Sequence, residues 1–304
     1  MDATRAPLAA EPAAAPVSWT HRFEAWGAAA SIAILRCIPL AAASALGGFL
    51  ACRIAPRLAI SDRARRNLRA AFPDISEPRI DAIVRGMWDN LGRVAAEYPH
   101  LRHIRVFDPG SRVETRGVEH LDRALAAGRR VILFGGHIGN WEIAGLAATQ
   151  YGLDIAQIYR APNNPLIDRI VARLRGGGSE LIPKGTIASR RAVAALRRGG
   201  HVSLLADQKL NEGIAVPFFG RPAMTAPALA LLALRFGCAI LPARVERLRG
   251  TRFRLTLYPP LDMPRSGDRD GDVMTIMTAV NATLEAWISE RPEQWFWVHS
   301  RWPD

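Results

Sequence analysis

The sequence predicts an α/β domain preceded by a hydrophobic N-terminal helix, on three observations. From about residue 110 onward, short apolar β-like runs alternate with amphipathic helical stretches, the texture of a sheet covered on both faces. Upstream, Gly27 to Cys52 is apolar throughout except at Arg36 and Pro39. Across the 304 residues, 49% are hydrophobic and 22% charged, ample for a core and too polar for a polytopic membrane protein. The 40 Lys and Arg against 28 Asp and Glu leave a net charge of +12, carried almost entirely by arginine. Such a surplus calls for an anionic partner, whether nucleic acid, membrane surface, phosphorylated lipid or acidic carrier protein. Cys37, Cys52 and Cys238 are widely spaced, without CxxC or Cys/His ligand spacing, which argues against a disulfide scaffold or structural zinc and for a reducing compartment.

Residues 1–25 read as an Ala/Pro-rich disordered tail with little to bury. Residues 26–56 read as the membrane-anchor helix. The uninterrupted apolar part after Arg36 has 16 residues, just short of the roughly 17–25 of a spanning helix. Spanning, lying in the interface and packing as a core helix are therefore all open, with membrane attachment preferred. Residues 53–79 hold seven Arg against three acids, whereas residues 1–26 hold two against three, so the long C-terminal part is expected on the cytoplasmic side. Residues 57–110 form a helical region, split by Phe72-Pro73-Asp74, with Ser76 placed as an N-cap and Ile80, Ile83, Val84, Met87 and Leu91 at helical spacing. From 111 to the end a single α/β domain is expected. A helix over 117–127 leads into the run 130–134; further β-like runs lie at 155–159, 202–206, 239–245 and 253–258. Helices are expected from about Gly139 and over 165–175, 187–198, 226–236 and 273–289.

The segment FGGHIGNWEIAG, residues 134–145, concentrates the chemistry. His137 and Glu142 are five residues apart, about 140° around a regular helix, so they meet only if His137 sits in a strand-to-helix turn and Glu142 in the first helical turn. Glycines 135, 136 and 139 permit such a turn. A carboxylate on one imidazole nitrogen makes the other a general base. Backbone N–H groups around Gly136, Gly139 and Asn140, at a helix N-terminus, are suited to an oxyanion; Asn140 is also suited to cap the helix. An alternative is that His137 merely ends a strand and Glu142 serves the helix dipole. HEXXH is absent, so the spacing is not that of a metal site.

HIGNWE has the H-x4-[DE] form of glycerolipid-type acyltransferases, and with its flanks it resembles the lipid A biosynthesis acyltransferase family. The resemblance extends to RNLRAAFP (66–73), IYRAPNNPLID (158–168), LLADQK (204–209), VPFFGRPAMTAPALALLALRFG (216–237) and PEQWFWVHSRW (292–302), in the expected order. It implies a glycerolipid-acyltransferase-like mixed sheet flanked by helices. The implied reaction is transfer of a fatty acyl chain from an acyl thioester, usually on acyl carrier protein, to a hydroxyl of a lipid A precursor at the bacterial inner membrane. His137 would be the base and Glu142 its orienting partner, with direct transfer, no acyl-enzyme and no cofactor. Arg160 and one of Arg173 or Arg175 match basic positions suited to phosphate or sugar-acid groups of the acceptor. Asp207, at a strand end, is a further substrate-binding candidate. Phe218, Phe219, Met224 and the helix after them are either an acyl slot or plain core. Trp295, Phe296, Trp297 and Trp302 face either the bilayer surface or the underside of the sheet, and His299 is a second-choice base. The competing readings are acylation of another lipid (phosphatidylinositol mannoside, ornithine lipid or glycerolipid) with acyl-CoA as a possible donor, and a basic membrane-associated binding protein without activity. A nucleic-acid module is disfavoured, because the arginines are dispersed and no recognition motif is present.

Overall fold

A computed structural model of the chain describes residues 17–185 and 187–302. Four helices precede the sheet: α1 (Trp19–Arg36), α2 (Leu40–Ile54), α3 (Ile60–Ala71) and α4 (Glu77–Glu97). The strands are β1 (Val113–Arg116), β2 (Val131–Gly135), β3 (Ile155–Tyr159), β4 (Glu180–Pro183), β5 (His201–Leu205), β6 (Lys209–Phe218), β7 (Arg221–Thr225), β8 (Ala239–Arg249) and β9 (Arg252–Leu257). Between and after them run α5 (Val118–Ala126), α6 (Glu142–Gln150), α7 (Pro165–Arg175), α8 (Ala188–Arg197), α9 (Ala228–Phe236) and α10 (Arg269–Glu290). Seven strands form one sheet in the order β1-β9-β8-β2-β5-β3-β4, while β6 and β7 make a separate hairpin. Every pairing in the large sheet is parallel except β8 with β9. The expected α/β mixed sheet is therefore present.

Strand β2 shows why the run RVILF folds as it does. Successive side chains of a strand point to opposite faces. Ile132 and Phe134 enter a core shared with α3, α4, α9 and α10, and Val131 and Leu133 enter a second core under α5 and α6. A strand buried on both faces needs a continuous apolar run rather than alternation. The strands missed from sequence, β1, β4, β6 and β7, carry polar or charged residues (VETR, ELIP, KLNEGIAVPF, RPAMT) because they lie at the sheet margins or in the hairpin.

The N-terminal region departs from expectation. The tail expected over 1–25 falls partly outside the described residues; from Trp19 on, the chain is helical. The single anchor over 26–56 is instead two helices broken at 37–39, because Pro39 lacks an N–H and pushes the residue before it out of helical conformation. No single helix among the described residues is long and apolar enough to cross a membrane. The expected helical region packs onto the sheet: Ile80, Ile83, Val84 and Met87 of α4 are buried in the same core as β2. Helix α2 lies tight along α4, with Ala43, Ser44 and Gly48 turned inward and Leu46, Phe49, Leu50 and Ile54 left exposed. The contact is backbone to backbone: a Cβ on Gly47 would strike the Gly92 carbonyl, and one on Gly92 the Gly47 carbonyl.

Phe218 is fully buried and α9 buries Leu229, Ala230, Leu232 and Ala233, so this region is core and not an open acyl slot. Trp295, Trp297 and Trp302 are likewise buried, closing the alternative of a bilayer-facing C-terminus. Arg301 locks that end down, donating to the Met224 carbonyl, Thr225 Oγ1 and Asn281 Oδ1. Replacing glycine by alanine within a helix ordinarily stabilises it by about 0.5–1 kcal/mol. Gly92→Ala should instead destabilise the protein, by about 1–3 kcal/mol through overpacking against α2; urea unfolding followed by circular dichroism measures the sign.

Candidate active site

Strands β2 and β5 run in parallel with Gly135 opposite Leu205, so the turns leaving their carboxyl ends emerge side by side. One carries His137 and the other Asp207. Asp207 is completely buried and both its oxygens are occupied. Oδ1 accepts from His137 Nδ1 at 2.8 Å, and Oδ2 accepts from the His137 backbone N–H at 2.6 Å and from Trp295 Nε1 at 2.8 Å. Burial alone would raise the carboxyl's pKa; interaction with His137 prevails and holds it far below the usual carboxylate range. An ionised Asp207 fixes the proton on Nδ1 and leaves Nε2 as the basic nitrogen.

The imidazole is walled in. Trp141 meets it edge to face with centroids 5.0 Å apart, and His299 does so at 4.8 Å. Burial, with His137 adding, pushes His299 down to about 3, so this second-choice base is neutral. His299 Nε2 is buried without a hydrogen-bond partner. His137, Asp207 and His299 are close enough to be considered as metal ligands, but both Asp207 oxygens already accept hydrogen bonds, which is the pattern of a carboxylate–imidazole dyad. Beyond Nε2 stands Gln208, its Nε2 at 3.5 Å, and its Oε1 accepts from Lys184 Nζ at 2.7 Å.

Glu142 does not orient His137, contrary to the reading from spacing. It begins α6 and is turned to the other side, where Arg175 Nε and Nη2 each donate to it at 2.7 Å, Trp141 Nε1 donates at 3.0 Å and Tyr98 donates its hydroxyl. Burial opposes ionisation of Glu142, but the guanidinium outweighs it and holds the carboxyl below its usual range; burial and Glu142 together raise Tyr98 well above a free phenol. Arg175 is thus the partner of Glu142, whereas Arg173 is exposed, as is Arg160 at the end of β3. Asp207, read from sequence as a substrate-binding residue, is the imidazole's partner.

The turn itself is held by a buried node. Glu97 accepts from Arg247 Nη1 and Nη2 at 2.6 and 3.0 Å, from Asn140 Nδ2 at 2.7 Å and from Ser44 Oγ at 2.6 Å. Asn140 Oδ1 in turn accepts from the Glu142 N–H at 3.2 Å. Gly139 has φ +58° and no room for a Cβ against the Val245 carbonyl. Three backbone donors of this turn are engaged internally: the His137 N–H goes to Asp207, that of Ile138 to the Gly136 carbonyl and that of Gly139, one of the expected oxyanion donors, to the Gln294 carbonyl.

An apolar groove of about 810 Å³ runs between α1, α2, α4 and α7, lined by Ile32, Leu35, Leu50, Ala95, Tyr98 and Leu174 among others. Its wall includes Tyr98, which donates to Glu142, and it opens beside the exposed Ile34, Leu46 and Ile54.

The α/β sheet thus presents a carboxylate–imidazole dyad at the ends of two central strands, and a large apolar groove reaches Tyr98, the partner of Glu142. Residues 13–304 match the family described as bacterial lipid A biosynthesis acyltransferase, and the chain belongs to that family. Among its relatives is the phosphatidylinositol mannoside acyltransferase of Mycolicibacterium smegmatis, 28% identical over 91% of this chain and 90% of the relative. Two others are from Escherichia coli K12: the lipid A biosynthesis lauroyltransferase, 29% identical over 78% of this chain and 76% of the relative, and the myristoyltransferase, 28% identical over 81% and 76%.

Two outcomes follow from the burial of these groups. Glu142→Ala strands the Arg175 guanidinium, and the loss of one partner of a buried pair should cost about 3–5 kcal/mol, read from urea unfolding. For His299, the unfolded side chain binds a proton below about 6.5 and the folded one only near 3. Stability should therefore fall as pH drops through that window, by up to about 1.4 kcal/mol per pH unit. His299→Phe should give a shallower decline than the parent when unfolding free energy is measured at successive pH values.

Proposed function

We propose that this acyltransferase moves a fatty acyl chain from an acyl thioester, carried by acyl carrier protein, to a hydroxyl of a lipid A precursor, with His137 as general base and Asp207 as its orienting carboxylate. The observation that carries the reading is the His137–Asp207 contact at 2.8 Å in a chain of this family. The acceptor hydroxyl gives its proton to Nε2 as its oxygen attacks the thioester carbonyl carbon. The imidazolium formed is stabilised by Asp207 and returns the proton to the departing thiolate. Direct transfer needs no protein nucleophile: Cys238 is buried, with its thiol pushed by burial to about 11, and Cys37 and Cys52 lie on α1/α2 away from the dyad. Glu142 and Arg175 brace the head of α6, and Arg160 and Lys184, near enough to His299 to act on it, give the surroundings of the dyad a cationic character suited to an anionic acceptor.

Trp19, Phe23, Trp26, Ile34, Phe49 and Ile54, exposed on α1 and α2, support attachment to a membrane surface through these two helices, on the cytoplasmic side of the inner membrane. The groove between them and α7 would then admit lipid hydrocarbon next to Tyr98. A second acceptor is favoured by a separate observation: the M. smegmatis relative, matched over nearly its full length, is a phosphatidylinositol mannoside acyltransferase. Acyl-CoA is the donor to test beside acyl carrier protein in that case.

Mass spectrometry of products decides between the acceptors. Detergent-solubilised protein is offered a Kdo-bearing tetra-acylated lipid A precursor or a phosphatidylinositol mannoside, each with acyl-carrier-protein or CoA thioesters. A gain of one acyl chain on the lipid A precursor supports the first reading, and on the mannoside the second; no gain on either rejects both. His137→Ala should abolish the gain. Asp207→Asn should lower kcat by about 10⁴-fold, as when an orienting carboxylate is lost and the imidazole takes the wrong tautomer.

A further inference from the structure

Direct transfer creates an oxyanion, and several donors of the turn that was expected to receive it are already engaged. His137, Ile138 and Gly139 each direct the backbone N–H to an internal acceptor, and the Glu142 N–H goes to Asn140. The reacting atoms must nevertheless gather at His137 Nε2, because Nδ1 is held by Asp207 and the imidazole is flanked by Trp141 and His299. At that edge, among the described residues, stands a side-chain donor, the Gln208 amide, at 3.5 Å.

The orientation of this amide follows from its other contact. A lysine ammonium is a donor only, so the group facing Lys184 at 2.7 Å is the amide oxygen, and the NH₂ faces His137. The neutral Nε2 is an acceptor, so the free amide donates weakly toward the place an acceptor hydroxyl must occupy. When that hydroxyl takes Nε2, the amide N–H is left beside the carbonyl that the hydroxyl attacks. We propose that Gln208 is the oxyanion donor of the acyl transfer and that Lys184 is the positioning residue that fixes and polarises its amide.

In the step the acceptor oxygen forms a bond to the thioester carbonyl carbon and its proton passes to His137 Nε2. The carbonyl π pair moves onto oxygen, where the Gln208 N–H and the nearby Lys184 charge meet it. On collapse that pair re-forms the carbonyl, the C–S bond breaks and the thiolate takes the proton from His137, giving ester and free thiol. Preorganised donors of this kind act where charge develops and so affect the chemical step more than binding.

The inference rests on the acyl-transfer reading, and thiol release by the full chain in detergent, with the lipid acceptor that mass spectrometry identifies, tests the two separately. Gln208→Leu is expected to lower kcat about 10²–10³-fold while changing KM for the thioester less than about threefold, the signature of a contact made only in the transition state. The acidic limb of its kcat–pH profile should coincide with the parent's. Gln208→Glu, of nearly the same shape, should lose at least as much, because a carboxylate repels the oxyanion. Lys184→Met should lose less, and Lys184→Arg should recover part of that loss. Gln208→Leu and Gln208→Glu rates within about threefold of the parent overturn the assignment, being too small a loss for an oxyanion donor. So does a fall in rate with a displaced pH limb, since the amide would then act through the imidazole. A parent no faster than His137→Ala rejects acyl transfer itself and this inference with it.

Discussion

The site hangs on the buried carboxylate of Asp207. Three donors reach it from two distant parts of the chain: the backbone and ring of His137 after β2, and the indole of Trp295 near the C-terminus. An ionised carboxylate without water is tolerated only when such donors are in place, so the β2 turn and the C-terminal segment are mutually required. The same contact sets the imidazole's tautomer. Structure and chemistry are not separable at this residue.

A second buried carboxylate governs the frame around it. Glu97, at the end of α4, gathers Ser44 from α2, Asn140 from the turn and Arg247 from β8. Because Asn140 also receives the first N–H of α6, the direction in which that helix leaves the turn is fixed from outside the sheet. The Glu142–Arg175 pair then ties the head of α6 to the end of α7. The H-x4-E sequence thus supplies two separate contacts, an imidazole held by Asp207 and a carboxylate held by Arg175, in place of one His–Glu pair.

Much of this frame was legible in the residues. Long apolar runs marked β2, β3, β5, β8 and β9, and Pro73 marked a helix break, because burial on two faces and loss of an N–H leave local traces, whereas the break at Pro39 was hidden within an otherwise apolar stretch. The sheet-edge strands β1 and β4 and the β6–β7 hairpin left none, being half-exposed and polar. His137 stood out through its glycines. Its partner did not, for Asp207 is seventy positions away and becomes a neighbour only because β5 inserts beside β2 in parallel. Five residues of spacing made Glu142 the obvious partner, yet a carboxylate that a guanidinium can grip from both sides is drawn to it. Arg175 could be told from Arg173 only by the helical phase of α7. Gln208, although next to Asp207, and Lys184, outside every motif, carried no signal of their own, since only the fold brings the lysine to the amide and so decides which of its ends faces the imidazole.

The glycine contact between α2 and α4 has a mechanical consequence. With Gly47 and Gly92 backbone to backbone, and Ser44 hydrogen-bonded to the carboxylate that also holds the β2 turn, the exposed apolar face of α2 is in rigid registry with His137. A catalytic domain on a slack tether samples many heights above the surface to which it is tied. Here the joint is close-packed, so that Leu46, Phe49 and Ile54 stand at a set distance from the imidazole, like the stop on a depth gauge.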